Sequence, residues 1–596
     1  AAADSSGGGA AADTPAPATA PTPSALDRLA RTAQALTAVR QMQDAARKLA
    51  IAGPNNLRPN LPSIPLNSYG QPNGLVLAPG VPKDLLKPTP EENPLLWTGA
   101  ELPEVTTQTS TTNGTTTTTS NVGITQTQQQ AMLTWQSFNV GRNTTVTFDQ
   151  SAGGADAGQW IAFNYVRDPS GVPSQILGSI KTIGAPDAQG HEQVGGQVYL
   201  MNSNGIIFGG SSQVNVHALV ASSLPINYNL IQRGLLNNPD AQFQFSAVPQ
   251  PAGSKGPTDG FDPGVASTEG FAPVQTPYAT DGSGDVGTVY GDVVVQPGAR
   301  LTAPTNADHV GGRIALIGPN VTNAGTISTE DGQTILAAGL QVGFTAHNSA
   351  DPTLRGLDVF VGKIADASLP DQPAAGVATN AGLDATNLGV TTGAFNTAAN
   401  NPGALNVLGL ISAPRGSIYI TGATVNQSGV IDSSTSVAYN GRVDLVAGYN
   451  AVSNPKYDPN SVNAVADFTT SLPFYYQSNV GNSITGAAVP NSGAVTLGRD
   501  GVIRILPETE STDRVVGDLT LPSQVNIQGG SVHFAANATL LAPGASVPLA
   551  KAYGADGTAL DAGVAIHAGA WFNPGGTTYR LVQSDDSQQI YFDKGA

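Results

Sequence analysis

Few residues in this chain stand in an order that could do chemistry, and most such orders are incomplete. His191-Glu192 begins like a zinc-binding His-Glu-x-x-His helix, but Gly195 stands where the second histidine should be. Ser453-Asn-Pro-Lys456 matches Ser-x-x-Lys, yet Pro455 blocks the helical turn that would bring lysine onto serine. Asp281-Gly-Ser-Gly-Asp285 starts like a calcium loop and lacks a closing acid in register. His217 and His533 alternate with apolar strand residues and read as surface positions. With no cysteine, a thiol nucleophile, a disulfide and a Cys-type zinc site are excluded. No metal, no cofactor and no enzymatic activity are expected. Asn113, Asn143, Asn320, Asn426 and Asn537 head Asn-x-Ser/Thr triplets, which chance supplies in a chain so rich in these residues. The order with the clearest physical reading is Asn202-Ser203-Asn204-Gly205, where asparagines cap a turn and glycine accepts positive φ.

The elements around that corner are strands. Val198-Tyr-Leu200 and Ile206-Ile-Phe208 flank it, and Val214-Asn-Val216 follows a second corner at Gly209-Gly210. Strand, corner, strand, corner, strand leaves no room for helices and suits a coil of stacked β rungs. An internal repeat points the same way. GRIALIGPNVTNAGTI from Gly312 aligns without a gap on GSIYITGATVNQSGVI from Gly416. Gly312/Gly416, Ile314/Ile418, Leu316/Ile420, Gly318/Gly422, Val321/Val425, Gly325/Gly429 and Ile327/Ile431 coincide. Each copy is followed by a further strand and an Ala-Gly corner, Gln333–Gly339 and Arg442–Gly448, with weaker echoes from Gly196, Gly291 and Gly530. A period of roughly 20–25 residues fits rungs of a parallel β-helix. Leucine-rich repeats share the period but need a Leu-x-x-Leu-x-Leu frame, and a β-sandwich would not explain the ungapped recurrence. The fold expected is all-β, a right-handed parallel β-helix of ~18 rungs, at most about 85 Å long. Stretches 226–285, 364–403 and 451–494 are read as protruding loops.

Composition narrows the partners. The 596 residues include 70 glycines and are only 12% charged, which suits turns and strands better than long helices. A net charge of −17 argues against nucleic acid and anionic lipid. No apolar run is long enough for a spanning helix. The first residues lack a basic region followed by an apolar core, so a signal peptide is expected to be already removed. The end at Ala596 without an obvious cap suggests a fragment.

The expected organisation is a disordered 1–23, an amphipathic helix 24–53, an extended low-complexity 54–121, a first β unit 122–290, and continuing rungs with loop insertions over 291–596. In the helix, Ser24 is the N-cap and Gly53-Pro54 the stop. Its stripe is Leu26, Leu29, Ala33 and Leu36, continued by Val39, Met42, Ala46 and Leu49. That stripe would dock on the body or pair in a coil; the basic residues Arg28, Arg31, Arg40, Arg47 and Lys48 leave a membrane or transporter contact as the other reading. The Thr tract 106–120 reads as an exposed strand or hairpin arm.

An ordered set of motifs over residues 130–224 resembles the two-partner secretion domain of filamentous-haemagglutinin-like exoproteins. It runs from Leu133-Thr-Trp135-Gln-Ser-Phe138 through Ile161-Ala-Phe-Asn164 and Pro173-Ser174-Gln-Ile176-Leu-Gly178 to Asn202-Ser-Asn204-Gly205-Ile206 and Leu219-Val-Ala-Ser-Ser223. The downstream repeats resemble the rungs of the same exoproteins. The family's usual corner reads Asn-Pro-Asn-Gly-Ile; Ser203 replaces the proline, so this corner should be less pre-organised.

The resemblance implies export through a dedicated outer-membrane β-barrel partner whose periplasmic domains recognise the unfolded N-terminal segment. Asn164, Ser174, Gly178, Asn202, Asn204, Gly205 and Ile206 would then serve recognition and nucleation, with no catalytic role. It further implies an extracellular or cell-surface location in a Gram-negative bacterium. An adhesin that meets a host-cell or bacterial receptor or glycan is the leading expectation. The secretion-and-stalk portion of a contact-dependent toxin or haemolysin is the first alternative. A β-helical polysaccharide-active enzyme is the second; it would need clustered carboxylates on successive rungs, which the low charge disfavours.

Overall fold

The computed structural model describes residues 25–53, 74–168, 171–248, 278–280, 286–306, 309–346, 355–382, 408–460, 472–476, 491–508, 523–543, 563–568, 570–572, 579–581 and 590–596. The calls on 1–23, Ser24 and Asp281–Asp285 lie outside them.

Short strands recur in threes and stack into three parallel sheets, which makes the body a parallel β-helix. One coil shows the pattern. Gln197–Asn202 lies in the first sheet, Ile206–Phe208 in the second and Gln213–Asn215 in the third, before Ala218–Ser222 returns to the first. Leu200, Ile206, Phe208, Val214 and Val216 of this coil are fully buried between the sheets. The two repeat copies share one environment. Ile314 and Ile418 lie in one column of the first sheet, two strands apart with Thr334 between them, and both are completely buried. The first sheet holds ten parallel strands among the described residues, about 43 Å of stack. This is well short of the ~18 rungs estimated from the period. The chain length goes elsewhere: 20 residues separate Arg313 from its partner Gln333, but 84 separate Gln333 from its partner Ser417.

Those long excursions correct the reading of 226–285 and 451–494 as simple protruding loops, and within 364–403 Val377–Asn380 is a strand of the second sheet. After Ser222, Ala338 and Ala447 the chain leaves the first sheet and, in part, folds back over its outer face. The helix Tyr228–Arg233 and the strands Phe245–Ser246, Gln341–Ala346 and Leu357–Val361 build a second layer there. Phe245, Val342, Phe344 and Val359 pack on Phe163, Tyr199, Ile317 and Ile335, which point outward from the first sheet. Strands of this sheet, such as Ile161–Val166 and Gln333–Ala338, are buried on both faces.

The N-terminal end of the stack is covered by antiparallel strands. Leu75–Leu77 and Trp97–Thr98 pair with Gln130–Phe138, and Glu104–Thr112 pairs with Thr115–Thr125. The Thr tract is therefore a hairpin whose second strand enters the third sheet at Ser120. Trp97 and Trp135 meet edge to face at 5.1 Å beneath this cover.

The helix Ala25–Ala52 lies along the solenoid and runs against the direction of coiling. Gly53 accepts a bond from Arg142, Arg47 donates to Ser212 O at 2.8 Å, Asp44 pairs with Arg300 at 2.7 Å, and Leu36 and Val39 pack with Leu410, Val430 and Val502. At about 1.5 Å per residue its 28 residues span about 42 Å, close to the length of the stack it straps. The buried stripe is Thr32, Leu36, Val39, Gln43 and Ala46, which differs from the one expected. Leu26, Leu29 and Leu49 are exposed, because the groove it fills offers backbone carbonyls and an amide that Gln43 and Arg47 satisfy.

Candidate functional site

The corner Asn202–Ile206 links the first sheet to the second, and hydrogen bonds from within and from both neighbouring coils hold it. Asn202 Oδ1 accepts from Asn204 N at 3.0 Å, and Gly205 N donates to Asn202 O at 2.9 Å, which closes the turn. Toward the preceding coil, Asn202 Nδ2 donates to Ser174 Oγ at 2.9 Å, Asn204 Nδ2 to Asp168 O at 2.8 Å, and Ser174 N to Gly205 O at 3.0 Å. Toward the following coil, Gly291 N donates to Ser203 O at 2.9 Å and Ile206 N to Asp292 O at 3.1 Å. Gly205 has φ +102°, and a Cβ there would stand 2.7 Å from Asp292 O. Only glycine fits both conditions. Ile206 is fully buried, in register with Ser174 and Val293.

Of the seven residues expected to act together, five meet here: Ser174, Asn202, Asn204, Gly205 and Ile206. Gly178 belongs to the next corner of the preceding coil, where a Cβ would collide with Gly141 O at 2.2 Å and Thr144 O at 2.3 Å. Asn164 lies inside the solenoid. It accepts from Trp135 Nε1 at 3.0 Å and donates to Ala162 O and Tyr199 O. Asn202, Ser203 and Asn204 are also buried, so the folded corner presents almost no side-chain surface to a partner.

Sequence reasoning missed Asp292 as part of this corner, although the repeat echo at Gly291 marked the place. Burial pushes the Asp292 carboxyl up to about 6, against hydrogen bonds from the Asn320 side chain and backbone. It also missed the polar ladders that run up the inside of other corners. Asn323 Nδ2 donates to Asn380 Oδ1 at 2.9 Å, and Asn380 Nδ2 to Gln427 Oε1 at 2.9 Å. Gln150 Nε2 donates to Gln126 Oε1 at 2.9 Å in the same manner.

The fragments of catalytic motifs lie apart. His191 bonds Asp187 at 3.0 Å in an exposed turn, and Asn454 Oδ1 accepts from Lys456 N where a helix would have been needed. Among the described residues no three His, Asp or Glu side chains gather as a metal-binding group, and no helix is long and apolar enough to cross a membrane.

Residues 102–253 match the family model described as the TPS secretion domain, which begins at the Thr-rich hairpin and extends past the corner into the covering insert. Among solved structures, the HMW1 secretion domain from Haemophilus influenzae is similar at 15% identity and a TM-score of 0.32, over 74% of this chain and 77% of that one. No curated protein matches. Two-partner export works through an outer-membrane transporter, and the domain that directs it here contains the whole Asn202–Ile206 corner. Residues 102–253 are thus a TPS secretion domain, and the chain carries the unit that directs two-partner export.

Proposed function

We propose that the protein is a non-enzymatic adhesin, displayed on or released from the cell surface, and that its transporter reads the Asn202–Ile206 corner while the chain is unfolded. The burial of that corner carries the second part: side chains only a few per cent exposed in the native coil can be read only before the coil forms. Closing the corner then removes the recognised groups from the transporter and starts the ladder on which the next strand pairs. Gly178 and Asn164 act in that second step, by letting adjacent coils approach and by satisfying the Trp135 indole. Within this reading the export unit reaches residue 290, and the coils from 291 onward form the displayed surface. The weakly charged composition and the extended run of coils support adhesion over catalysis.

Export is the deciding assay. Asn204→Ala, which keeps the backbone conformation accessible, should lower the secreted amount at least tenfold when the chain is co-expressed with its transporter. The purified variant should refold with the native circular dichroism spectrum. Full secretion of Asn204→Ala would remove the corner from the recognition site. Retention of the wild-type protein on intact cells or glycan arrays tests the adhesin role, and an absence of any retained surface would overturn it.

A further inference from the structure

Beside the third-to-first-sheet corner, at the opposite end of the first-sheet strands from the secretion corner, a cleft of about 330 Å³ opens between His309, Arg313, Gln333, Arg355, Ser417 and Asn440. Its floor is one column of the first sheet. Arg313, Gln333, Ser417 and Arg442 are consecutive partners in register, so the two arginines stand about 14 Å apart with shorter side chains between them. Gly312 and Gly332 line the same floor, where a Cβ would strike neighbouring backbone oxygens at 1.5 Å and 2.1 Å, so no side chain can fill the space from below.

The charges around the cleft are unevenly paired. Arg415, at its rim, bonds Asp331, Glu330 and Glu508, and Arg442 bonds Asp444 and approaches Asp358. Among the described residues Arg355 hydrogen-bonds the backbone carbonyls of Asp331 and Arg415, feels the Asp331 carboxylate without bonding it, and lies 4.2 Å over the Tyr439 ring. Arg313 has no carboxylate partner and no side-chain hydrogen bond among the described residues. The titratable groups that feel its charge are Tyr199 and His217, neither of which is an anion at neutral pH. Three donors on residues that line the cleft, Arg313 Nε, Arg355 Nε and Asn440 Nδ2, are buried and lack an acceptor among the described residues. Each is a donor only, so what the site lacks is acceptor oxygen together with negative charge.

We propose that this cleft binds a small oxyanion-bearing ligand of about monosaccharide size, a carboxylated or sulfated sugar, with Arg313 as the principal anchor and Arg355 and Asn440 as supporting donors. Planar guanidinium groups suit the paired oxygens of carboxylate and sulfate. The volume falls at the lower end of ordinary ligand sites, large enough for one sugar ring. Ser417 and Asn440 supply neutral polar groups for hydroxyls, while the Gln333 amide is held by Leu357 N and O. The Arg355–Tyr439 stack gives one wall a fixed position. Neither the secretion corner nor the adhesin reading is needed for this site.

Calorimetric titration of the full chain at fixed ionic strength tests it, with glucuronate, glucose 6-sulfate and neutral glucose as probes. The result expected is saturable, about millimolar binding of at least one anionic sugar and none of glucose. Saturation by glucuronate alone assigns a carboxylate ligand, and by glucose 6-sulfate alone a sulfated one. Arg313→Gln and Asn440→Ala should each weaken binding about tenfold or more with unchanged circular dichroism. In the ligand-free protein Arg313→Met should leave the melting temperature unchanged or raise it, because no partner is lost. The proposal is overturned by the absence of saturation with either anion, by equal binding in Arg313→Gln, or by a clear fall in the ligand-free melting temperature of Arg313→Met.

Discussion

Gln43, on a helix that precedes the whole β-helix in sequence, accepts from Gly298 N at 2.7 Å, 255 residues downstream. Its Nε2 donates at the same time to Ala324 O at 2.7 Å and Leu408 O at 2.8 Å. One buried amide thus ties together three successive coils that form only after hundreds of residues have followed it. A glutamine in the middle of an apolar stripe is a poor choice for a free amphipathic helix and a good one for a groove of exposed backbone.

Replacing Gln43 by leucine should therefore destabilise the helix strap despite the gain in hydrophobicity. Three backbone groups would be left without partners, at a cost of about 1–3 kcal/mol each. Limited proteolysis of the purified protein should cut within residues 25–53 of the variant and spare the wild type, while the coils stay intact. An unchanged cleavage pattern would show that the helix is held by Leu36 and Val39 alone.

At the secretion corner the two kinds of residue should separate. Gly205→Ala forces a side chain into positive φ and against Asp292 O, and should cost about 1–3 kcal/mol in denaturant unfolding. Ser203→Pro should be neutral or stabilising if its φ suits proline, but the Ser203 carbonyl must keep its bond from Gly291. Chemical denaturation of both variants measures the difference.

Asp292 gives the corner a pH dependence with a definite sign. Its pKa is about 6 in the fold and near 3.8 when unfolded, so the native state binds more protons between those values. Stability should fall as pH rises through that window and stay reduced above it. Asp292→Asn, which keeps an acceptor for Asn320, should raise the melting temperature at pH 7.5, by the equivalent of about 2–3 kcal/mol at most. The gain should vanish below about pH 4. A gain that persists undiminished in acid would contradict the burial of the charge.

The ladder Asn323–Asn380–Gln427 should behave as a unit. Asn380→Ala removes the central amide and strands a donor on Asn323 and an acceptor on Gln427, both fully buried. About 2–4 kcal/mol of stability should be lost. In a double variant that also carries Asn323→Ala, the second loss should be smaller than Asn323→Ala causes alone. Additive losses would mean that the amides act independently.

The coil is written in the order of the residues. Regular glycine corners, β-branched runs and the ungapped copies at Ile314 and Ile418 require equivalent surroundings, and the two residues do share one buried column. The secretion motifs were legible for the same reason, since a corner that must take positive φ between two strands leaves few choices of residue. The outward burial of Phe163, Tyr199, Ile317 and Ile335 was half legible, because their strands read as nearly continuous apolar runs rather than strict alternation.

Everything that joins distant coils sideways came from the folded arrangement. The Gln43 clamp, the insert layer over the first sheet, the amide ladders and the unpaired Arg313 all depend on which coil stands beside which. That order is set by insert length, and local pattern does not encode it: partners in adjacent strands lie 20 residues apart at Arg313–Gln333 and 84 apart at Gln333–Ser417. Polar side chains such as Gln43 and Asn380 look like surface residues until the backbone groups that need them are brought into place.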